Sequence, residues 1–334
     1  MAGIIVSEAS AKNDMLYGKW QAPIASFLET RAEAIDQGSI AAKIFKKVDS
    51  THWAESYGSL TAIDDFKPTP ENGAYPVSDF EQGYSKIIKN YTWKNSFAIS
   101  REMLEDGNLI NLRKQPAGFM TSFERTRERY FAALLGGALQ GKTSASFGGE
   151  VFDIAGADGV GLFSNAHKGK VSKKTIVNGF TDEFSTEALG KAATAMQNMK
   201  GDNDETLGLV PDTIIIPNIE AIKNKVWTAI GSEKVPGSGN NDYNYQFGNW
   251  NVIIWPYLND FIGNVTTKVP WILMDSNYCQ EADVAIWQDR VPLSIKSVVD
   301  DNDANRWKGR ARFGGGFVDF RGMLAGGMAA GGTL

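Results

Sequence analysis

Apolar residues recur along this chain at two periods, and the points where the period changes outline its elements. Between Pro116 and Leu139 the positions Phe119, Phe123, Tyr130, Leu134 and Ala138, joined by Met120, Phe131 and Leu135, fall at spacings of three, four and seven. Those spacings make one helical face, and a proline suits a first turn. A long helix over about 116–139 is therefore predicted, of which the part to Leu135 alone would span roughly 30 Å. Its other face carries ERTRER, residues 124–129. That alternation usually marks a solvated face held by weak local pairs, and on a helix meeting another subunit it would fix register. Just upstream, Ser100 is a plausible N-cap for the short helix REMLED, with Glu102 near its start.

Earlier still, YSKIIKNYTWKNSFAIS alternates partly at period two, placing Ile87, Tyr91, Trp93, Phe97 and Ile99 on one face of a strand. The segment before it, from ESYGS to SDFEQ, is punctuated by Pro68, Pro70, Asn72, Gly73 and Pro76, which break helices and mark turns. Together they predict a long β-hairpin. Two isolated strands are barely stable in water, so a hairpin of this length is expected to lie on something else. Residues 13–47 read as an irregular arm with short helical pieces.

A second block begins with the amphipathic helix TDEFSTEALGKAATAMQNMK, capped by Thr181 or Ser185. LVPDTIIIPNIEAIKNKVWTAIGS reads as a buried β-branched strand, a Pro-Asn turn and a helix. The strands WNVIIWPYL and PWILMD follow. The chain closes with VAIWQDRVPLSIKSVV, the acidic turn DDNDAN, the strand-like WKGRARFGGGFVDFRGMLA and a Gly/Ala tail.

Composition narrows the function classes. At 334 residues, 43% hydrophobic and 22% charged, the chain can bury a sizeable core. Its net charge of -5 disfavours a dedicated nucleic-acid binder. One cysteine, Cys279, rules out an intrachain disulfide and any CxxC zinc site. No stretch approaches the roughly 20 apolar residues of a membrane span, and the N-terminus lacks a basic signal-peptide region. Nine Trp, ten Tyr and eighteen Phe are the outliers; rings of that size suit protein interfaces or a core alone.

Candidate chemistry is sparse. GGALQGKT, Gly136 to Thr143, fits the P-loop pattern letter for letter. A working P-loop, however, follows a buried strand and opens a helix. Here the motif ends a helix and is followed by polar, Gly-rich sequence, so its glycines read as helix termination. Only His52 and His167 exist, too few for a recognisable metal site; each is expected to be exposed or locally bonded. Cys279 reads as a buried inert thiol. The acidic runs GDNDE (201–205) and DDND (300–303) lack a calcium-loop register and read as solvated turns. The basic run His167 to Lys174 reads as an exposed loop that could meet phosphate or the acidic loops of a neighbour. No cofactor or metal and no enzymatic activity are expected.

The order of these segments resembles the major capsid proteins of tailed bacteriophages with the Hong Kong 97-like fold, especially their Mu-like branch. AISREMLEDGNL looks like the short helix before the family's spine helix. GLFSNAHKG is similar to a Phe-x-x-x-His segment after it, and LVPDTIIIPNIEAIKNKVWTAIGS to the strand, turn and helix of the axial domain. WNVIIWPYLNDF with PWILMDSN resembles the paired strands that follow, and WKGRARFGGGFVDFRGMLAGG the closing strand. The resemblance covers roughly residues 55–330 and rests on order and spacing.

It implies a mixed α/β subunit. An N-terminal arm would occupy 1–54, an extended β-hairpin 55–98, a peripheral domain 99–180, an axial domain 181–282, and strands returning to both domains 283–334. It further implies self-assembly through hexamers and pentamers into an icosahedral virion head around double-stranded DNA, bound without sequence specificity. Assembly would take place in the host cytoplasm, with a portal protein as partner and no membrane. Because the arm begins almost at Met1, a separate scaffolding protein or an already trimmed chain is expected. Subunit contacts are expected at Phe66, Tyr75, Phe80 and Tyr84 on the hairpin and at Arg125, Arg127 and Arg129 on the helix. Some relatives cross-link a hairpin lysine; Lys67, Lys86 and Lys89 are present here, with nothing to single one out. Net negative charge would keep the inner wall from gripping the genome, an idea that a strongly basic inner face would overturn. The alternatives are an encapsulin-type nanocompartment shell and, remotely, a P-loop NTPase.

Overall fold

The computed structural model describes residues 5–7, 38–58, 68–75, 83–106, 109–234, 242–263, 268–301 and 304–334. In chain order these carry β1 (Ile5–Ser7), α1 (Ala41–Ile44), β2 (Lys46–Asp49), β3 (Ala54–Gly58), β4 (Ser85–Lys89), β5 (Tyr91–Ile99), α2 (Arg101–Glu105) and α3 (Leu109–Leu139). The short strands β6 (Ser144–Phe147), β7 (Glu150–Asp153), β8 (His167–Lys168) and β9 (Thr175–Ile176) follow. Then come α4 (Thr186–Gln197), β10 (Thr213–Pro217), α5 (Glu220–Ile230), β11 (Asn251–Trp255), β12 (Trp271–Met274), α6 (Ser276–Glu281), β13 (Ala285–Val299), β14 (Asn305–Phe317) and β15 (Met323–Gly326).

The larger sheet is built on the long antiparallel pair β13–β14, with β5 antiparallel on the outer edge of β14. β1 and β2 both run parallel to the other edge of β13, at its two ends. Pro292 sits where the β13–β14 register shifts between Val291 and Ser294, a bulge being where a strand tolerates a residue without an N–H.

α3 lies across one face of this sheet. Trp93 stacks on Phe313 at 5.1 Å, and Tyr130 meets Trp93 edge-on at 5.2 Å. Phe131 packs between Phe45 at 4.8 Å and Trp287 at 4.6 Å. The aromatic excess is thus largely spent in the core, where each fully buried large side chain is worth about 1.5–3 kcal/mol.

α3 is longer than the sequence predicts, because Pro116 falls inside it rather than at its first turn. The proline withholds one hydrogen bond, from the Leu112 carbonyl, and the helix tolerates that defect. From Phe131 to Leu139 every residue is buried, so this end of the helix has no solvated face. Gly136 and Gly137 make that enclosure possible. A Cβ on Gly136 would stand 2.5 Å from the Phe261 Cβ, and one on Gly137 2.9 Å from the Ile154 Cδ1. They are close-approach positions inside the helix; termination falls to Gly141, whose φ of +69° suits a residue without Cβ.

The smaller sheet has the order β11-β10-β12-β15, with β10–β11 parallel and the other pairs antiparallel. β10 and β12 are buried throughout, as apolar runs covered on both faces should be. Ser185 caps α4, its Oγ accepting from Ala188 N at 3.0 Å, and Asp275 caps α6 through Tyr278 N at 2.9 Å.

Burial pushes the Tyr130 and Tyr278 hydroxyls above the ordinary phenol range and the Cys279 thiol above its own. In the unfolded chain the phenols ionise near pH 10, before their folded counterparts. Their stabilising contribution is therefore complete below about pH 10 and is lost as pH rises beyond it. Urea midpoints should begin to ease above about pH 8.5, where the unfolded Cys279 thiol ionises, and fall more steeply by pH 11 as the unfolded phenols do; Tyr130→Phe should flatten that second fall. A fall that Tyr130→Phe leaves unchanged would show that this hydroxyl is not the group responsible.

Candidate functional site

β3 and β4 form a separate two-stranded ribbon. The sequence reads one continuous strand face through Ile87, Tyr91, Trp93, Phe97 and Ile99, but the face breaks at Asn90. Lys86 and Ile88 point inward and Ile87 outward on β4, whereas Tyr91, Trp93, Phe97 and Ile99 point inward on β5. The chain changes partners there, from β3 in the ribbon to β14 in the sheet. Asn90 fixes the change: its Nδ2 donates to Ser50 Oγ at 2.8 Å and to the His52 carbonyl at 2.9 Å. Glu55 organises the facing turn, accepting from Ser50 Oγ at 2.8 Å and from Thr51 N and His52 N at 3.0 Å. Those donors, led by the His52 N–H, bring its carboxyl down to about 2.

Beyond this base the ribbon leads to residues 68–75, all exposed, with Tyr75 95% exposed. Tyr84 is half-buried beneath Lys170, whose Nζ lies 5.5 Å from the ring centroid. Phe66 and Phe80 lie outside the described residues.

The ERTRER face of α3 is not uniformly solvated. Glu128 is buried and accepts from Ser39 Oγ at 2.5 Å and from Ala41 N at 3.3 Å, so it ties down the described end of the arm. Arg127 is also buried, its guanidinium 4.8 Å over the Trp287 ring. Arg129 pairs with Asp260 at 3.3 Å. Of the three arginines, Arg125 stands exposed.

Around GGALQGKT the helix offers its C-terminal carbonyls: Gln140 N and Lys142 N donate back to the Gly137 carbonyl at 3.2 Å. A phosphate needs N–H groups at a helix start. The strand that a P-loop would follow is absent here, since the motif continues α3 itself.

The basic and acidic runs, read separately in the sequence, meet one another. Lys170 N donates to Asp202 Oδ1 at 3.0 Å, and Lys174 pairs with Asp204. Asp202 is 1% exposed and bonded by Arg321 Nη2 at 2.7 Å, while Arg321 Nη1 holds Asp319 at 3.2 Å. His167 is buried too, with Nδ1 2.6 Å from Asp158 Oδ2, Nε2 3.2 Å from the Leu162 carbonyl and its ring stacked on Phe320 at 3.9 Å. Residues 201–205 are thus no solvated turn, and their ion pairs knit three loops together. Among the described residues no group of three or more His, Cys, Asp or Glu side chains could hold a metal, and no helix is long and apolar enough to cross a membrane.

No curated protein matches this chain. Among solved structures it is similar to one described as the capsid of Ralstonia phage GP4, at 12% identity over 85% of this chain and 86% of that one, with a TM-score of 0.52. It is also similar to a structure from Mycobacterium phage Patience, at 11% identity over 100% and 94% of the two chains, with a TM-score of 0.50. At such identities the likeness is one of fold, here the Hong Kong 97-like fold. The sequence adds what the fold alone does not: residues 83–326, which include both sheets' long strands and α3, match the family model described as phage capsid protein. The chain belongs to that phage capsid protein family and is a shell-forming major capsid protein.

Proposed function

We propose that this subunit closes into an icosahedral head around double-stranded DNA, through hexamers and pentamers that form in the host cytoplasm. The observation that carries this is the far part of the ribbon: its base packs on the larger sheet, Ile88 against Ile286 and Val318, but its described tip, residues 68–75, is exposed on every residue. A neighbouring subunit supplies the missing surface. Tyr75 and Arg125 are the contacts this geometry favours; Phe66 and Phe80 join them on the sequence alone. The larger sheet with α3 serves as the peripheral domain and the smaller sheet with α4 and α5 as the axial domain, in a head of the Mu-like branch. A portal protein and a separate scaffolding protein complete the assembly, and the role is structural rather than enzymatic.

Electron microscopy of the expressed chain, alone and with its neighbouring scaffold gene, tests this. Closed shells, tubes or five- and six-membered rings are expected, and Tyr75→Ala should lower their yield while leaving the subunit folded. A monomer or dimer under every condition would sink the proposal. Particles filled with protein cargo instead of DNA would point to a nanocompartment. Nucleotide binding lost in Lys142→Ala would reopen the enzyme alternative.

A further inference from the structure

The side-chain amide of an asparagine is chemically labile when glycine follows it. The backbone nitrogen of the glycine attacks the amide carbon, a five-membered succinimide closes and ammonia leaves. Water then opens the ring at either carbonyl. The product is aspartate or, with the main chain rerouted through the side chain, isoaspartate. Glycine favours the step because it has no Cβ to block the approach and its backbone turns freely. The chain contains two such pairs, Asn72–Gly73 and Asn178–Gly179, and the fold places them in opposite environments.

Asn178 is fully buried. Its Nδ2 donates to the carbonyls of Leu162 at 2.8 Å, Phe320 at 2.9 Å and Met323 at 3.2 Å, and its Oδ1 accepts from Ser164 N at 2.9 Å. The attacking nitrogen is held as well, since Gly179 N donates to the Ser164 carbonyl at 3.2 Å. Ring closure here would break buried bonds that are costly to leave unmade, away from the water that completes the reaction. Asn178 is protected.

Asn72 has none of this. Residues 68–75 are all exposed and belong to no strand. Among the described residues nothing hydrogen-bonds the Asn72 side chain. Its φ of +63° is left-handed, a conformation that asparagine adopts more readily than most residues but still at a cost. A single backbone bond closes the turn, from Gly73 N to the Pro70 carbonyl at 2.8 Å. That bond restrains the attacking nitrogen, and exposed turn bonds of this kind open at little free-energy cost.

We propose that Asn72–Gly73 is a site of spontaneous deamidation in the unassembled subunit, and that assembly protects it. Exposure and an unheld amide make the pair reactive in the free chain. Protection rests on the proposal that the ribbon's tip lies on a neighbour, where contact excludes water and holds the turn closed. The products matter to the shell. Aspartate puts a further negative charge on the tip, and isoaspartate adds a main-chain carbon to a four-residue turn. A subunit left unassembled loses the shape and charge of its tip, whereas a docked one keeps them.

Peptide mass mapping of the folded subunit, aged at mildly alkaline pH in water enriched in heavy oxygen, tests the site. An isoaspartate-specific methyltransferase tags the rearranged product. Asn72 is expected to convert to aspartate and isoaspartate, each carrying one oxygen from water, while Asn178 stays intact; in urea both pairs should react. N72Q should nearly abolish the signal at the tip, because glutamine would have to close a six-membered ring, and G73A should slow it severalfold. An Asn72 that survives in the folded subunit yet reacts in urea would overturn the proposal, since the turn would then be protective. Equal conversion of Asn178 in the folded chain would overturn it too, because burial and bonding would not be what sets the rates. Particles and leftover free subunits from one aged mixture test the second half. The particles should hold severalfold less converted Asn72, and N72D should lower particle yield with a nearly unchanged urea midpoint. Equal conversion in both fractions would overturn the protection. If no particles form under any condition, the proposed function fails and the protection with it, while the free-subunit rates still decide the site.

Discussion

Replacing Arg321 with Met is expected to destabilise the unassembled subunit by about 3–5 kcal/mol, read as a fall in the urea midpoint, because it strands two buried carboxylates. Arg321 is 3% exposed. Burial by itself would lower its pKa, but Asp319 and Asp202 outweigh that and raise it. Its Nε donates to the Lys200 carbonyl at 3.3 Å, and its guanidinium lies 4.6 Å over Phe320, the ring on which His167 stacks. Removing the cation leaves Asp202 and Asp319 with their charges and without their counter-ion, whereas removing the whole network costs less. The triple change R321M/D202N/D319N should therefore recover part of the loss, since no charge then remains buried. A loss below about 1 kcal/mol for R321M would mean that water reaches the carboxylates, and the loops at 158–170, 200–206 and 318–322 would then need another explanation for their packing.

The contrast between this network and the smaller sheet shows what a sequence makes legible. TIIIP declares its burial through four apolar neighbours, three of them β-branched, and both the strand and its following helix lie where the periodicity puts them. Asp202 carries no such signal. GDNDE looks like any solvated turn until Arg321, 119 residues away, folds onto it. Glu128 is hidden in the same way inside a charged hexapeptide, its role set by an arm 87 residues upstream. Long-range ion pairs have no period. The Asn90 break has a different cause: two strands in different sheets abut in sequence, so one alternation runs into another shifted by a residue, and only the change of partner separates them. The basic row along β14 is visible as R-x-K-x-R-x-R, Arg306 to Arg312; that it stands on the face away from α3 shows only in the alternation of the strand, with Trp307, Ala311 and Phe313 buried, and a net charge of -5 conceals it.

Gly314→Ala is expected to cost about 1–3 kcal/mol by overpacking and to lower particle yield beyond what that loss explains. Arg306, Lys308, Arg310, Arg312, Gly314 and Gly316 share the outer face of β14 by alternation, and the ribbon crosses that face at the glycines. A Cβ on Gly314 would meet the Lys89 carbonyl oxygen at 2.2 Å and its carbon at 3.2 Å. That is backbone at the base of the ribbon, held by the Asn90 anchors, and it has no rotamer to yield. The methyl must lift β4, and an error at the base is magnified along the projection. Gly316 is the control: its Cβ would meet only Ile88 side-chain atoms, at 3.3 Å, which can turn aside. Gly316→Ala should therefore cost less than about 1 kcal/mol and assemble nearly as the parent does. If both alanines behave alike, close backbone approach is not what the glycine run provides. If Gly314→Ala loses stability but assembles in proportion to the folded fraction, the ribbon's angle is not what limits the shell.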